Sequence, residues 1–156
     1  MTTRHDGNLQ LKLCLVAVAL LLGGQASSAE PQTVAGVWKQ IDPDTGKVGA
    51  LVTFTESGGV FKGSFSKLYL DSGDDPNPLC RKCPGSQRGK PLLGLVFIDG
   101  MRRSGLKYDG GTILDPETGT SYSANMKLSP DGNTLTVHGY VGIPLFGQSQ
   151  TWKRAQ

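Results

Sequence analysis

Two closely spaced cysteines are the first candidates for chemistry in this sequence. Cys80 and Cys83 form a C-x-x-C motif, a spacing found in disulfides, thiol redox catalysts and zinc sites. Thiols of exported proteins become oxidised, and the first residues of this chain have the layout of an export signal, so we predict a Cys80–Cys83 disulfide. A redox-active thiol pair is an alternative, because Arg81 and Lys82 would favour the thiolate form of the cysteines. A zinc site would need two more ligands.

Groups for acid–base catalysis are few. His138 occupies a polar position of an alternating segment, and we interpret it as a histidine that faces solvent. No Gly-x-Ser-x-Gly motif accompanies it. Four carboxylates could converge as a glycosidase-like pair, although such residues usually cap turns or face water: Asp71, Asp74, Asp75 and Asp115. We therefore expect a protein that is not an enzyme and uses no cofactor or metal, with a thiol oxidoreductase or a carboxylate hydrolase as the enzymatic alternative.

The composition suits one small globular domain. The chain has 156 residues with 22 glycines, 9 prolines, 37% hydrophobic and 19% charged residues, which excludes collagen, coiled coil and extended disorder. The net charge of +3 is too small to indicate a nucleic-acid partner unless it is focused on one patch. We expect no such partner.

The first part of the chain has the layout of a signal peptide. Arg4 and Lys12 precede an uncharged run at 13–22, and small residues follow up to Ala29. This run is shorter than the roughly 20 residues that cross a hydrocarbon core, so we do not expect a membrane-spanning helix. We predict cleavage of residues 1–29 and a single periplasmic or secreted domain over 30–156.

Alternation of polar and apolar residues dominates the rest of the chain and predicts strands with one wet face. Eight segments show the pattern: 36–41, 48–56, 60–69, 92–99, 106–114, 121–128, 134–141 and 148–154. Turn residues separate them, including an Asp-Pro-x-Thr-Gly sequence that occurs at 42–46 and again at 115–119. Because helical periodicity is lacking, we predict an all-β, eight-stranded antiparallel up-and-down barrel. The interior of an eight-stranded barrel can hold one small ligand.

One segment, 70–91, interrupts this regular pattern. It contains the two cysteines, several prolines and four basic residues, and loops of this length are usually functional or disordered. The strand predicted after it, 92–99, is apolar on both faces. We therefore expect its outer face to be covered by the long loop, a partner chain or an envelope component.

Our functional hypothesis is a barrel that binds a small apolar or amphipathic molecule, or an envelope component, at the end covered by the loop. Four aromatic residues are the predicted walls of the ligand site: Trp38, Tyr69, Phe97 and Tyr108. Arg88 or Arg102 would meet a polar head group. The alternative is a structural or protein-interaction module of the cell envelope, in which the apolar fourth strand docks a protein partner or a second copy of the chain as a homo-oligomer.

Three motifs together resemble the bacterial domain-of-unknown-function family 2147. They are Gly-x-Trp at 36–38, Asp-Pro-Asn-Pro-Leu-Cys-x-x-Cys at 75–83 and Thr-Trp-x-Arg at 151–154. Shorter matching pieces lie at 91–95, 110–116 and 139–142. The resemblance implies an exported, lipocalin-like (calycin-like) barrel and brings no established activity. Lipocalins pair the tryptophan of the first strand with a basic residue near the last, so Trp38 and Arg154 are the expected counterparts, joined by a cation–aromatic contact.

Overall fold

The computed structural model of the chain describes residues 32–155, so the predicted signal peptide lies outside the described residues. Eight strands make up the fold. Their bounds are β1 Gly36–Ile41, β2 Val48–Ser57, β3 Val60–Leu68, β4 Val96–Ser104, β5 Lys107–Leu114, β6 Ser121–Leu128, β7 Thr134–Tyr140 and β8 Gly147–Arg154. A short 3-10 helix, Gly85–Gln87, lies in the long connection between β3 and β4.

The strands form a closed barrel in which each strand is antiparallel to its neighbours in the chain. The first and last strands complete the barrel, with Trp38 opposite Arg154 and Lys39 opposite Lys153. This confirms the predicted eight-stranded up-and-down barrel. Between residues 32 and 155, no helix is long and apolar enough to cross a membrane.

The two Asp-Pro-x-Thr-Gly sequences fold as the same turn. The Gly46 N–H donates to the Asp42 carbonyl at 2.9 Å, and the Gly119 N–H donates to the Asp115 carbonyl at 2.8 Å. In each turn the aspartate side chain also accepts hydrogen bonds from the backbone and the threonine hydroxyl that follow it. Both glycines have positive φ, 70° and 76°, which explains the residue type. Each turn follows an odd-numbered strand of the up-and-down barrel, so both turns lie at the same end.

The fourth strand differs from the prediction in its bounds, and its register with β3 is broken. It begins at Val96 and continues to Ser104, whereas the sequence predicted 92–99. Gly63 of β3 faces Ile98 and the next residue faces Val96, so Phe97 is an extra residue without a partner on β3. Such a bulge re-aims side chains, and Phe97 and Ile98 are both buried. The long connection, one of the predicted covers, contacts the start of this strand, where the Gln87 side chain donates to the Val96 carbonyl at 2.9 Å.

Large side chains fill one half of the barrel, which we call the closed end. Those of Trp38, Phe61, Met101, Tyr108, Met126, Leu128 and Leu135 are buried there. The residues before β1 cross this end. The Val34 N–H donates to the Tyr108 hydroxyl at 3.0 Å, and the Trp38 indole N–H donates to the Val34 carbonyl at 2.8 Å. The chain thus seals the closed end with its own backbone.

Arg154 connects the parts of this seal. Its guanidinium carbon lies 4.3 Å from the centre of the Trp38 ring, as expected for the lipocalin-like pair. Its three nitrogens donate to the carbonyls of Gly132, Ala35 and Thr33 at 2.7, 3.0 and 2.7 Å. Burial lowers the pKa of Arg154. The hydrogen bonds and the ring face compensate for the water that the guanidinium has lost.

We expect Arg154→Lys to lower the free energy of unfolding by about 1 to 3 kcal/mol, because an ammonium cannot reproduce the planar fork that serves three carbonyls and the ring. Urea unfolding followed by tryptophan fluorescence measures the change. Arg102→Lys is the matched control, since Arg102 is exposed on β4. Equal stabilities of the two variants would contradict this role of Arg154.

Candidate functional site

The other end of the barrel is open and contains a cavity of about 690 Å³. The β1–β2 and β5–β6 turns, the β7–β8 connection and Leu92 from the long β3–β4 connection surround it. Inward positions near this end carry small residues, such as Ala50 on β2 and Gly139 on β7, both of which line the cavity. The interior is therefore hollow where the inward side chains are small and solid where they are large.

Strands β2 to β7 and the connection before β4 provide an apolar wall. At its base, the Phe65 and Phe97 rings stack with centroids 4.0 Å apart and planes 5° from parallel. Trp152 lies below them, with its ring centre 6.3 Å from that of Phe97. The remaining apolar side chains of this wall are those of Ala50, Leu68, Leu92, Ile113, Leu114 and Val137.

Strands β1 and β8 provide a polar wall made of glutamines. Gln40 has the same inward phase as Trp38 on β1, and Gln148 and Gln150 have the same phase as Trp152 on β8. All three glutamines line the cavity. The Trp152 indole N–H donates to the Gln150 side-chain oxygen at 3.1 Å. Because the paired residues of β1 and β8 lie nearer the closed end, these amides occupy the region where the two strands separate.

The rim of the cavity carries acidic residues. Asp42 lies on the β1–β2 turn, and Asp115 and Glu117 lie on the β5–β6 turn. The hydrogen bond from the Thr45 N–H, helped by the Thr45 hydroxyl, holds the pKa of Asp42 below its ordinary value of 3.8. Among the residues that line the cavity in the described chain, none is a lysine, an arginine or a histidine.

Of the six predicted ligand-binding residues, the structure places Phe97 at the cavity and leaves Tyr69 outside it. A bulge explains the position of Tyr69. Leu51 of β2 faces Lys67, whereas the next residue of β2 faces Phe65, so the alternation of β3 shifts by one. Leu68 therefore points into the cavity. Tyr69 is 46% exposed and lies beneath the Lys67 ammonium, 4.6 Å from the ring centre.

The other four predicted residues also lie away from the cavity lining. Trp38 and Tyr108 belong to the closed end, where the Tyr108 ring packs edge-on against Phe61 at 5.1 Å. Arg102 is exposed on β4 and faces Val60 and Asp109 of the neighbouring strands. Arg88 is exposed on the long loop and donates from Nε to the Cys83 carbonyl at 3.2 Å. The sequence identified aromatic and basic residue types, whereas position along the barrel axis decides which of them reach the cavity.

The predicted disulfide between Cys80 and Cys83 is present, with Cα atoms 5.4 Å apart and both residues fully buried. Around it the long loop folds as a small hairpin, in which Cys80 donates to the Lys90 carbonyl at 2.8 Å. Cys80 Sγ lies 3.7 Å from the Pro116 carbonyl oxygen. A side chain at Gly119 would overlap the Lys82 backbone. The disulfide-bonded loop therefore supports the β5–β6 turn at the rim.

His138 supports the neighbouring β7–β8 connection. Its Nε2 is 2.8 Å from the Pro144 carbonyl oxygen, and its Nδ1 is 2.8 Å from the Ser149 hydroxyl. A carbonyl oxygen can only accept, so Nε2 carries a hydrogen and donates to Pro144. His138 therefore lies on the outer, polar face of β7, as the alternation predicted, and it also binds two neighbouring residues. It is half-buried on the outer side of β7 and holds residues 141–146 in place.

The matches to known proteins agree with this architecture. The family model described as "Uncharacterized protein conserved in bacteria (DUF2147)" matches residues 36–154. The chain belongs to this family. Among solved structures, protein HP1028 from the human pathogen Helicobacter pylori, described as belonging to the lipocalin family, is 20% identical with a TM-score of 0.67. The match covers 80% of this chain and 84% of HP1028 and shows that the DUF2147 chain has a lipocalin-like fold. A comparison with curated proteins finds no match.

The hydrogen bonds to Asp42 predict a pH dependence. Because the folded-state pKa is lowered, the turn stabilises the protein above the pKa of the unfolded chain, about 3.9, and this contribution is lost as the pH falls through the folded-state pKa. An NMR titration of the Asp42 carboxyl carbon should give a midpoint below 3.8. Thr45→Val removes the hydroxyl donor and should move the midpoint upward. A midpoint that is the same in both proteins would contradict the assigned cause.

Proposed function

We propose that this DUF2147 protein binds a small amphipathic molecule in the cavity at the open end of its barrel. The observation that carries the proposal is the division of the cavity into an apolar wall and a wall of three glutamines. A purely structural barrel of this size fills its interior with side chains, as the closed end does. The cavity volume also lies within the range of about 300 to 1,000 Å³ that is usual for small-molecule sites.

The two walls suggest how such a molecule would be held. An alkyl or aromatic tail would pack on the stacked rings of Phe65 and Phe97, where each square ångström of buried apolar surface contributes about 25 cal/mol. The polar end would lie toward Gln40, Gln148 and Gln150, whose amides can both donate and accept hydrogen bonds. The lipocalin-like fold supports a binding role at the level of architecture only.

We also propose that the domain works in the periplasm or outside the cell. The disulfide supports this, because such bonds persist in oxidising compartments. The exported-protein layout of the first residues, which lie outside the described range, gives the same expectation. Mass spectrometry of the protein from the periplasmic fraction should find a chain that begins at residue 30, and a cytoplasmic full-length chain would contradict the proposal.

The binding proposal predicts that filling the cavity abolishes binding without unfolding the protein. In Ala50→Phe, a ring replaces a methyl group that lines the cavity. We expect it to lower the affinity for an alkyl probe such as decanol by at least about tenfold, with little change in thermal stability. Titration calorimetry measures the affinity. Leu51→Phe is the matched control, because Leu51 is the next residue of β2 and does not line the cavity. Equal affinities of Ala50→Phe and the control would refute binding at this site.

A second candidate function is a protein-interaction module. The large exposed hydrophobic residues of the described chain all belong to the connections at the open end: Tyr69, Leu70, Leu93, Val141, Ile143, Leu145 and Phe146. Exposed apolar side chains gathered in this way commonly mark interaction surfaces. The apolar fourth strand, which first suggested docking, does not support it, because its bulge turns Phe97 and Ile98 inward.

Docking of a second copy through these connections predicts self-association that depends on them. Sedimentation velocity at high protein concentration should show dimers. Because Leu145 is 79% exposed, Leu145→Ser should raise the dissociation constant of the dimer several-fold. Lys107→Ser, at the opposite end of the barrel, is the control. Monomers of the unaltered protein throughout the concentration range would count against this candidate.

The enzymatic alternatives receive less support from the geometry. Both cysteine sulfurs are buried in the disulfide, whereas a redox pair needs an accessible thiol. The carboxylates of the long loop cap its turns, as Asp74 does for the Asp71 N–H at 2.8 Å and Asp75 for the Asn77 N–H at 2.9 Å. Carboxylates used in this way are not arranged as a facing acid–base pair.

A further inference from the structure

We propose that the cavity selects amphiphiles with a positively charged head group, such as an alkylammonium, over amphiphiles with a carboxylate. This inference rests on the proposed binding function and adds the charge of the ligand. It replaces the sequence-based expectation that Arg88 or Arg102 meets a polar head group. The observation behind it is the sign of the charged residues along the rim.

The charged side chains that line the cavity are all acidic: Asp42, Asp115 and Glu117. Asp42 and Asp115 keep fixed positions because each accepts hydrogen bonds from its own turn, at 2.7 Å from the Thr45 N–H and 2.8 Å from the Glu117 N–H. These donors are neutral, so the negative charge of each turn is not cancelled by its partners. The cavity lining therefore includes three carboxylates, one on the β1–β2 turn and two on the β5–β6 turn.

Basic residues near this end do not line the cavity. Lys47 lies on the β1–β2 turn and is exposed. Lys67 lies over the Tyr69 ring on the outer face, and Arg88 donates to the Cys83 carbonyl within the loop. Arg81 is 3.9 Å from Asp75, which partly neutralises it. Arg81, Lys82, Arg88 and Lys90 are all exposed, and none of them lines the cavity. Cations of this loop are therefore absent from the cavity lining.

The glutamine wall fits the same ligand. The side-chain oxygens of Gln40 and Gln148 can accept from the N–H groups of a primary ammonium. Amides could also donate to a carboxylate, so the glutamines alone do not decide between the two charges. The rim carboxylates decide between the two charges, because they attract an ammonium head group and repel a carboxylate head group at a mouth that is open to solvent.

The test compares three probes that share a tail: decylammonium, decanol and decanoate. Titration calorimetry with the full-length folded domain at low ionic strength should give an affinity for decylammonium about tenfold above that for decanoate, with decanol between them. Raising the salt concentration should narrow the difference, because the rim is exposed. Equal or tighter binding of decanoate would overturn the inference while leaving the binding function intact. If none of the three probes binds, the proposed function itself fails.

A charge variant identifies the source of the selectivity. Glu117→Gln removes one rim carboxylate whose side chain is exposed, and it should reduce the decylammonium preference about twofold. Glu56→Gln is the matched control, since it makes the same change in net charge near the β2–β3 turn at the closed end. If both variants reduce the preference equally, overall charge is responsible and the proposed role of the rim is wrong.

Discussion

Closure of the barrel depends on the short contact between its first and last strands. Only Trp38 with Arg154 and Lys39 with Lys153 pair there in the described chain, so few backbone hydrogen bonds hold the ends of the sheet together. Arg154 compensates by binding three carbonyls and the Trp38 ring at once. A single planar cation thus joins the segment before β1, the β6–β7 turn and the last strand. It lies at the closed end, where large side chains fill the interior.

The same short seam produces the polar wall of the cavity. Beyond Lys39 and Lys153, β1 and β8 separate toward the open end, and water can reach the inner faces of both strands. Glutamine amides at these inward positions can be hydrated or can form hydrogen bonds with nearby side chains, as Gln150 does with the Trp152 indole. They therefore avoid the free-energy penalty of a buried amide without a hydrogen-bond partner. The neighbouring β2–β3 pair extends over nearly the whole of both strands and carries the apolar side chains of Ala50 and Leu68. The polar wall of the cavity therefore coincides with the place where the β1–β8 pairing stops.

The sequence predicts the architecture better than the site. Strand alternation and repeated turn motifs are local signals, and they gave eight strands in the correct order. The error in β3 comes from a bulge, where one extra residue inverts the alternation and sends Leu68 inward in place of Tyr69. A bulge depends on the neighbouring strand, so a single segment does not reveal it. The glutamine wall did have a signal, since Gln40 and Gln150 share the phase of the buried tryptophans and polar residues at inward positions are uncommon.

Rigidity of the rim comes from contacts that lie outside the cavity. The disulfide-bonded loop packs against Pro116 and Gly119, and His138 binds the Pro144 carbonyl. Each contact holds a rim segment from its outer side, which leaves the inner side free for a ligand. A site whose walls are fixed before binding loses less conformational entropy when the ligand enters. The Cys80–Cys83 disulfide, predicted as a structural bond, and His138 therefore both support the rim from outside the cavity.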